Sequence, residues 1–90
     1  MKEEIEYTLC FKNSAAKEFR RLPKDIKQRV GIAIEQLRFH PRPDGVTKLK
    51  GDENLYRIRI GDYRAVYEID DSEKALRITR VRHRRDVYQS

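Results

Sequence analysis

The segment Leu55-Tyr56-Arg57-Ile58-Arg59-Ile60-Gly61-Asp62-Tyr63-Arg64-Ala65-Val66-Tyr67-Glu68-Ile69 constrains the fold of this chain more than any other. Apolar and polar residues alternate on both sides of Gly61-Asp62, the period of strands with one buried face. Glycine supplies the positive φ that a two-residue type I′ or II′ turn needs, so the two runs read as a β-hairpin. So short a turn fixes the register: Ile60 stands opposite Tyr63, Ile58 opposite Ala65 and Tyr56 opposite Tyr67. That face is apolar and assigns Tyr56, Tyr63 and Tyr67 to a core. The other face collects Arg57, Arg59 and Arg64, with Arg59 directly opposite Arg64. Opposed like charges destabilise a strand pair by up to about 1 kcal/mol, so the three arginines need a counter-charge. Glu68, on the same face near Leu55, supplies only part of it. Arginine with interleaved tyrosine is a recurrent way to hold a nucleic-acid backbone and its bases. Acidic side chains elsewhere in the chain, or in a partner, are the alternative source of neutralisation.

The flanking sequence builds a domain around this hairpin. Residues 5–11 alternate, with Ile5, Tyr7, Leu9 and Phe11 on one face and Glu6, Thr8 and Cys10 on the other, which predicts a half-buried strand. Asn13 or Ser14 offers an N-cap to a short helix carrying Ala15, Phe19 and Leu22. Pro23 suits the first turn of a second helix with the stripe Ile26, Val30, Ala33, Ile34 and Leu37, and Pro41 marks its end. Residues 40–54 hold two prolines and two glycines and read as a surface connection, in which Lys48 and Lys50 are candidate phosphate contacts. After the polar stretch 70–74, a last strand runs from Ala75 to about His83. Leu76 and Ile78 share a face but Val81 is out of phase, which predicts a bulge near Thr79 to Val81.

Ninety residues allow one domain, 1–90, with a small core, since a chain this short cannot divide its apolar residues between two. No apolar run approaches the roughly 18 residues of a membrane span, and residues 1–4 show no apolar signal region, so a cytoplasmic protein is expected. One cysteine, Cys10, cannot form an internal disulfide, and with two separated histidines the chain is poorly supplied for a zinc site. No metal or other cofactor is expected. The net charge of +6 is weak evidence taken alone, but its placement is not: Arg77, Arg80, Arg82, Arg84 and Arg85 crowd into residues 77–85 without an acid. Guanidinium groups present a planar fork of donors that suits phosphate oxygens.

The order strand, helix, helix and three strands, the hairpin 55–67, and the ending Val81-Arg82-His83-Arg84-Arg85-Asp86-Val87-Tyr88 together resemble the RelE family of prokaryotic toxin–antitoxin toxins. The hairpin is shared with the wider RelE/ParE superfamily, and the His-Arg-Arg-Asp-Val-Tyr ending is more specific to RelE. The resemblance spans about Ile5 to Tyr88. It implies an α+β fold, an antiparallel sheet of about four strands with an N-terminal helical hairpin on one face. It further implies a ribosome-dependent endoribonuclease that cuts mRNA in the A site without a metal, leaving a 2′,3′-cyclic phosphate and a 5′-hydroxyl. A RelB-like antitoxin would neutralise it, in a complex open to a heterotetrameric form.

Carried over residue by residue, the resemblance gives catalytic positions to Arg57, Arg59, Arg64, Arg84 and Tyr88, with Arg82 and Arg85 as further RNA contacts. Two departures stand out. Relatives with lysine on the first hairpin strand have a group that can move a proton, whereas Arg57 and Arg59 can stabilise a phosphorane-like transition state but cannot be the general base. His83 is the candidate by chemistry, because an imidazole titrates near neutrality. Arg82 stands where relatives commonly have glycine. Tyr88 either stacks on a splayed base or assists proton transfer. Two other functions fit the same residues: a ParE-like gyrase inhibitor, and a noncatalytic basic RNA- or ribosome-binding protein.

Overall fold

In the computed structural model of the protein, which describes residues 5–49, 51 and 54–87, the alternating segments become a five-stranded sheet with two helices on one face. Strands β1 (Thr8–Phe11), β2 (Thr47–Lys48), β3 (Leu55–Ile60), β4 (Tyr63–Asp70) and β5 (Ala75–His83) take the order β1-β5-β4-β3-β2. Helices α1 (Asn13–Arg20) and α2 (Lys24–Leu37) follow β1, and a short α3 (Arg84–Val87) follows β5. The α+β class stands, with two changes to the sheet. It is mixed, because β1 runs parallel to β5, and it gains β2 within the expected surface connection. Two residues are too few to show an alternating pattern, so β2 leaves no trace in the sequence.

The core lies between the helices and one sheet face. Ala15, Val30, Ile34 and Leu37 meet Tyr56, Ile58, Ala65, Tyr67, Ile69, Leu76, Ile78 and Val81. The hairpin pairs as its turn requires, Ile60 with Tyr63, Ile58 with Ala65 and Tyr56 with Tyr67. The bulge lies at Thr79: Val66 pairs with Arg80 but Tyr67 with Ile78. The extra residue returns Val81 to the face of Leu76 and Ile78, and the Thr79 hydroxyl donates to the Val66 carbonyl at 3.1 Å. Helix α1 begins at Asn13 with Lys12 in the cap position, so neither Asn13 nor Ser14 caps it. Pro23 stands just before α2, whose first residue is Lys24.

The connection after α2 is held firmly to the sheet. The buried Tyr67 hydroxyl donates to the Pro41 carbonyl at 2.6 Å. Arg42 places both terminal nitrogens on Asp71, at 3.3 and 2.9 Å, and its Nε on the Tyr56 hydroxyl at 3.1 Å. Asp71 also accepts from the Tyr7 hydroxyl at 2.7 Å. The Arg42 and Tyr7 hydrogen bonds pull the Asp71 carboxyl down to about 2. The same bond to Asp71 raises the Tyr7 phenol, and burial raises Tyr67. Each of these hydrogen bonds joins a donor to an acceptor, so the cluster meets its polar groups from within the chain.

Candidate functional site

The Gly61-Asp62 turn sets the geometry of the sheet face opposite the one that packs on α1 and α2. Gly61 has φ of +60°, while Asp62 is not among the residues with positive φ, as a type II′ turn requires. Arg59 therefore stands opposite Arg64, and across the next strand pair Arg64 stands opposite Arg82. Three arginines line up across three neighbouring strands. One row further from the turn, Arg57, Val66 and Arg80 stand side by side.

These charges have unequal surroundings. Arg82 forms an ion pair through its Nε with the Glu18 carboxylate of α1. The other carboxylate oxygen accepts the Val81 N–H at 2.8 Å. β1 pairs with β5 only as far as Ile78, so this N–H lies on an open sheet edge that Glu18 closes. Glu68 does not serve the arginine row as expected; it pairs with Arg77 at 2.8 Å. Arg59 is exposed and its Nε donates to the Gly61 carbonyl at 3.3 Å. Arg64, between Arg59 and Arg82, is only 8% exposed, and its Nη1 is buried with no hydrogen-bond partner.

An unmet buried donor costs about 1–3 kcal/mol, and more when it is charged. Among the described residues no carboxylate forms an ion pair with Arg59 or Arg64. Two guanidinium groups carried by facing residues, one exposed and one buried with a vacant donor, suit a tetrahedral oxyanion that takes several donors at once.

The remaining candidates divide by position. Arg57 is half-buried on the arginine face. The Arg84 N–H donates to the Asp62 carbonyl at 2.7 Å, tying the start of α3 to the hairpin turn, and Arg84 and Arg85 are exposed there. His83 stands opposite Tyr63 with ring centroids 5.3 Å apart, which puts it on the helix side of the sheet, opposite the face of Arg59 and Arg64, although it lines a cavity with Arg82. Its Nδ1 accepts the Arg85 N–H at 3.3 Å, which leaves the neutral ring's proton on Nε2. Lys48 is exposed on β2 opposite Tyr56, so by register it too belongs to the other face. Lys50 and Tyr88 lie outside the described residues. Sequence reasoning missed Glu18, whose contact with Arg82 joins elements 64 positions apart and carries no local signal.

Among the described residues no group of three or more His, Cys, Asp or Glu could hold a metal ion, and no helix is long and apolar enough to cross a membrane.

Comparison with known proteins gives the chain's family. A family model described as the ParE toxin of type II toxin–antitoxin systems matches residues 6–88. Toxin RelG of Mycobacterium tuberculosis is 32% identical over 86 residues, covering 94% of this chain and 99% of its own. Toxin RelE3 of Methanocaldococcus jannaschii is 30% identical over 84 residues, covering 89% and 93%. Among solved structures, the archaeal RelE–RelB complex of Pyrococcus horikoshii contains a similar chain with a TM-score of 0.78 and 30% identity, covering 88% of this chain and 96% of that one. The matching family is described by ParE, whereas the relatives carry the names RelG and RelE3 and the solved structure is a RelE–RelB complex. The chain belongs to the RelE/ParE family of toxins from type II toxin–antitoxin systems.

Proposed function

We propose that this toxin is a metal-independent endoribonuclease that cuts mRNA in the ribosomal A site, and that a RelB-like antitoxin restrains it. The observation that carries this reading is Arg64, a buried guanidinium with an unpartnered Nη1 beside exposed Arg59. In the reaction, the ribose 2′-oxygen bonds to the adjacent phosphorus and the bond to the 5′-oxygen breaks. A proton leaves the 2′-hydroxyl and another reaches the 5′-oxygen. The products are a 2′,3′-cyclic phosphate and a 5′-hydroxyl. Negative charge on the non-bridging oxygens grows toward the phosphorane, and fixed donors that strengthen with that charge lower the barrier. Arg59 and Arg64 fill this role, with Arg57 flanking them, while Arg84 approaches from the turn anchored on Asp62.

None of these arginines can take the proton. His83 lies across the sheet with Nδ1 engaged by Arg85, so we assign it to bracing the C-terminal turn. Tyr88 is left as the proton-transfer candidate of that motif. The relatives' structures with RelB support an antitoxin partner of that kind, one that brings carboxylates to the arginine face.

The ParE description of the matching family favours one other reading, a toxin that inhibits DNA gyrase and does not cut RNA. Ribosomes programmed with a defined mRNA, incubated with the purified chain and mapped by primer extension, separate the two. A cut within the A-site codon is expected. Intact mRNA together with blocked gyrase supercoiling would replace the nuclease reading by the gyrase one.

A further inference from the structure

The arginine row does not stop at the hairpin turn. On α2, Arg29 precedes the buried Val30 and reaches the turn from the helix side. A Cβ built on Gly61 would stand 3.3 Å from the Arg29 Nη2, 3.8 Å from Cζ and 3.9 Å from Nη1. With three atoms of one guanidinium this close to a single point, the group lies over the glycine, where a side chain would crowd it. The Arg59 Nε donates to the carbonyl of the same residue. Two guanidinium groups from different elements thus converge on one turn residue. Among the described residues neither forms an ion pair with a carboxylate, and neighbouring Asp62 is exposed and forms none.

Two like charges at one loop tip, left without a counter-ion and continuous with Arg64, track a polyanion rather than a single anion. We propose that Arg29 carries the arginine row around the hairpin turn and binds an RNA phosphodiester next to the one held by Arg59 and Arg64. The inference rests on the nuclease reading and extends its RNA path onto α2. The phosphodiester belongs either to the mRNA strand itself or to ribosomal RNA beside it. Arg29 is a binding residue here, with no part in bond breaking.

The test measures affinity against KCl concentration for two probes, a short single-stranded RNA and ribosomes programmed with an mRNA whose A-site sugars are 2′-deoxy. Arg29→Gln should lower the slope of log K on log salt by about 0.7, the share of one single-strand phosphate contact. Arg29→Lys should restore the slope, and neither change should move the melting temperature, since Arg29 is exposed. A loss with the free RNA assigns the phosphate to mRNA; a loss with ribosomes alone assigns it to ribosomal RNA. Either supports the proposal. Unchanged slopes with both probes overturn it, including the case in which Arg29→Gln weakens antitoxin binding instead. Failure of the nuclease reading shows separately, as absence of cleavage by the wild-type chain, because the slopes are read without cleavage.

Discussion

β4 carries a polar cluster at each end, and the two are built on opposite terms. At its C-terminal end, Asp71 receives Arg42 and Tyr7, Arg42 also reaches Tyr56, and Tyr67 reaches the Pro41 carbonyl. At its N-terminal end, Arg59, Arg64 and Arg82 stand in line, and among the described residues only Arg82 has an acid. Both clusters place polar groups against a small core, but only the first satisfies them internally. A satisfied network fixes a loop and adds stability, whereas a buried cation left with a vacant donor lowers stability and awaits a ligand. On the proposed function, one strand holds the domain together at one end and carries its chemistry at the other.

The largest break in this contrast comes from the arginine end. Arg64→Ala and Arg84→Ala should each reduce A-site cleavage by about 10²–10³-fold, the usual loss for one transition-state donor, while antitoxin pull-down stays intact. A cleavage rate within a few-fold of wild type would remove either residue from the site. His83→Gln sharpens the boundary of that site. A residue that acts as general base contributes about 10²–10⁴-fold, whereas a brace on the helix side should yield a loss of about tenfold or less with an unchanged pH profile.

At the other end the readout shifts to stability. Tyr67→Phe removes one buried hydrogen bond and should lower the unfolding free energy by about 1 kcal/mol, measured in urea, with the cleavage rate of folded protein unaltered. The smallest effect is expected in acid. Because the Asp71 carboxyl is held below its ordinary value of 3.8, at about 2, its contribution is complete above 3.8 and fades as pH falls toward 2. Asp71→Asn should flatten the loss of stability across that window, followed by circular dichroism. An unchanged acid slope would mean that Asp71 is not held by Arg42 and Tyr7 in solution.

How much of this was legible in the sequence depended on how local each determinant is. The Gly61-Asp62 turn is two residues long, so it fixed every cross-strand pair of the hairpin, Arg59 with Arg64 included. The out-of-phase Val81 gave away the bulge. Its further consequence needed only a parity count: an extra residue at Thr79 puts His83 with Tyr63 and Arg82 with Arg64, which separates the histidine from the row it was expected to serve. Other features had no local code. The parallel pairing of β1 with β5, the two-residue β2 and the grip of Glu18 on Arg82 depend on segments distant in the chain meeting in space. Arg29 sits beside an ordinary amphipathic stripe, and nothing in its neighbours marks the turn it touches. The burial of Arg64 was equally hidden, since the hairpin pattern alone placed it on the solvent side.

That burial is where stability and chemistry can be measured against each other. Arg64→Met keeps an unbranched side chain and removes the charge with its vacant donor. Thermal unfolding of this variant, paired with its A-site cleavage rate, tests the central claim most directly. The expected result is a melting temperature raised by about 4–8 °C, the equivalent of about 1 kcal/mol in a domain of this size, with cleavage reduced at least about 100-fold. A variant that melts lower than wild type, or that still cuts at the wild-type rate, would contradict the reading of Arg64 as a cation kept for its ligand at the expense of the fold.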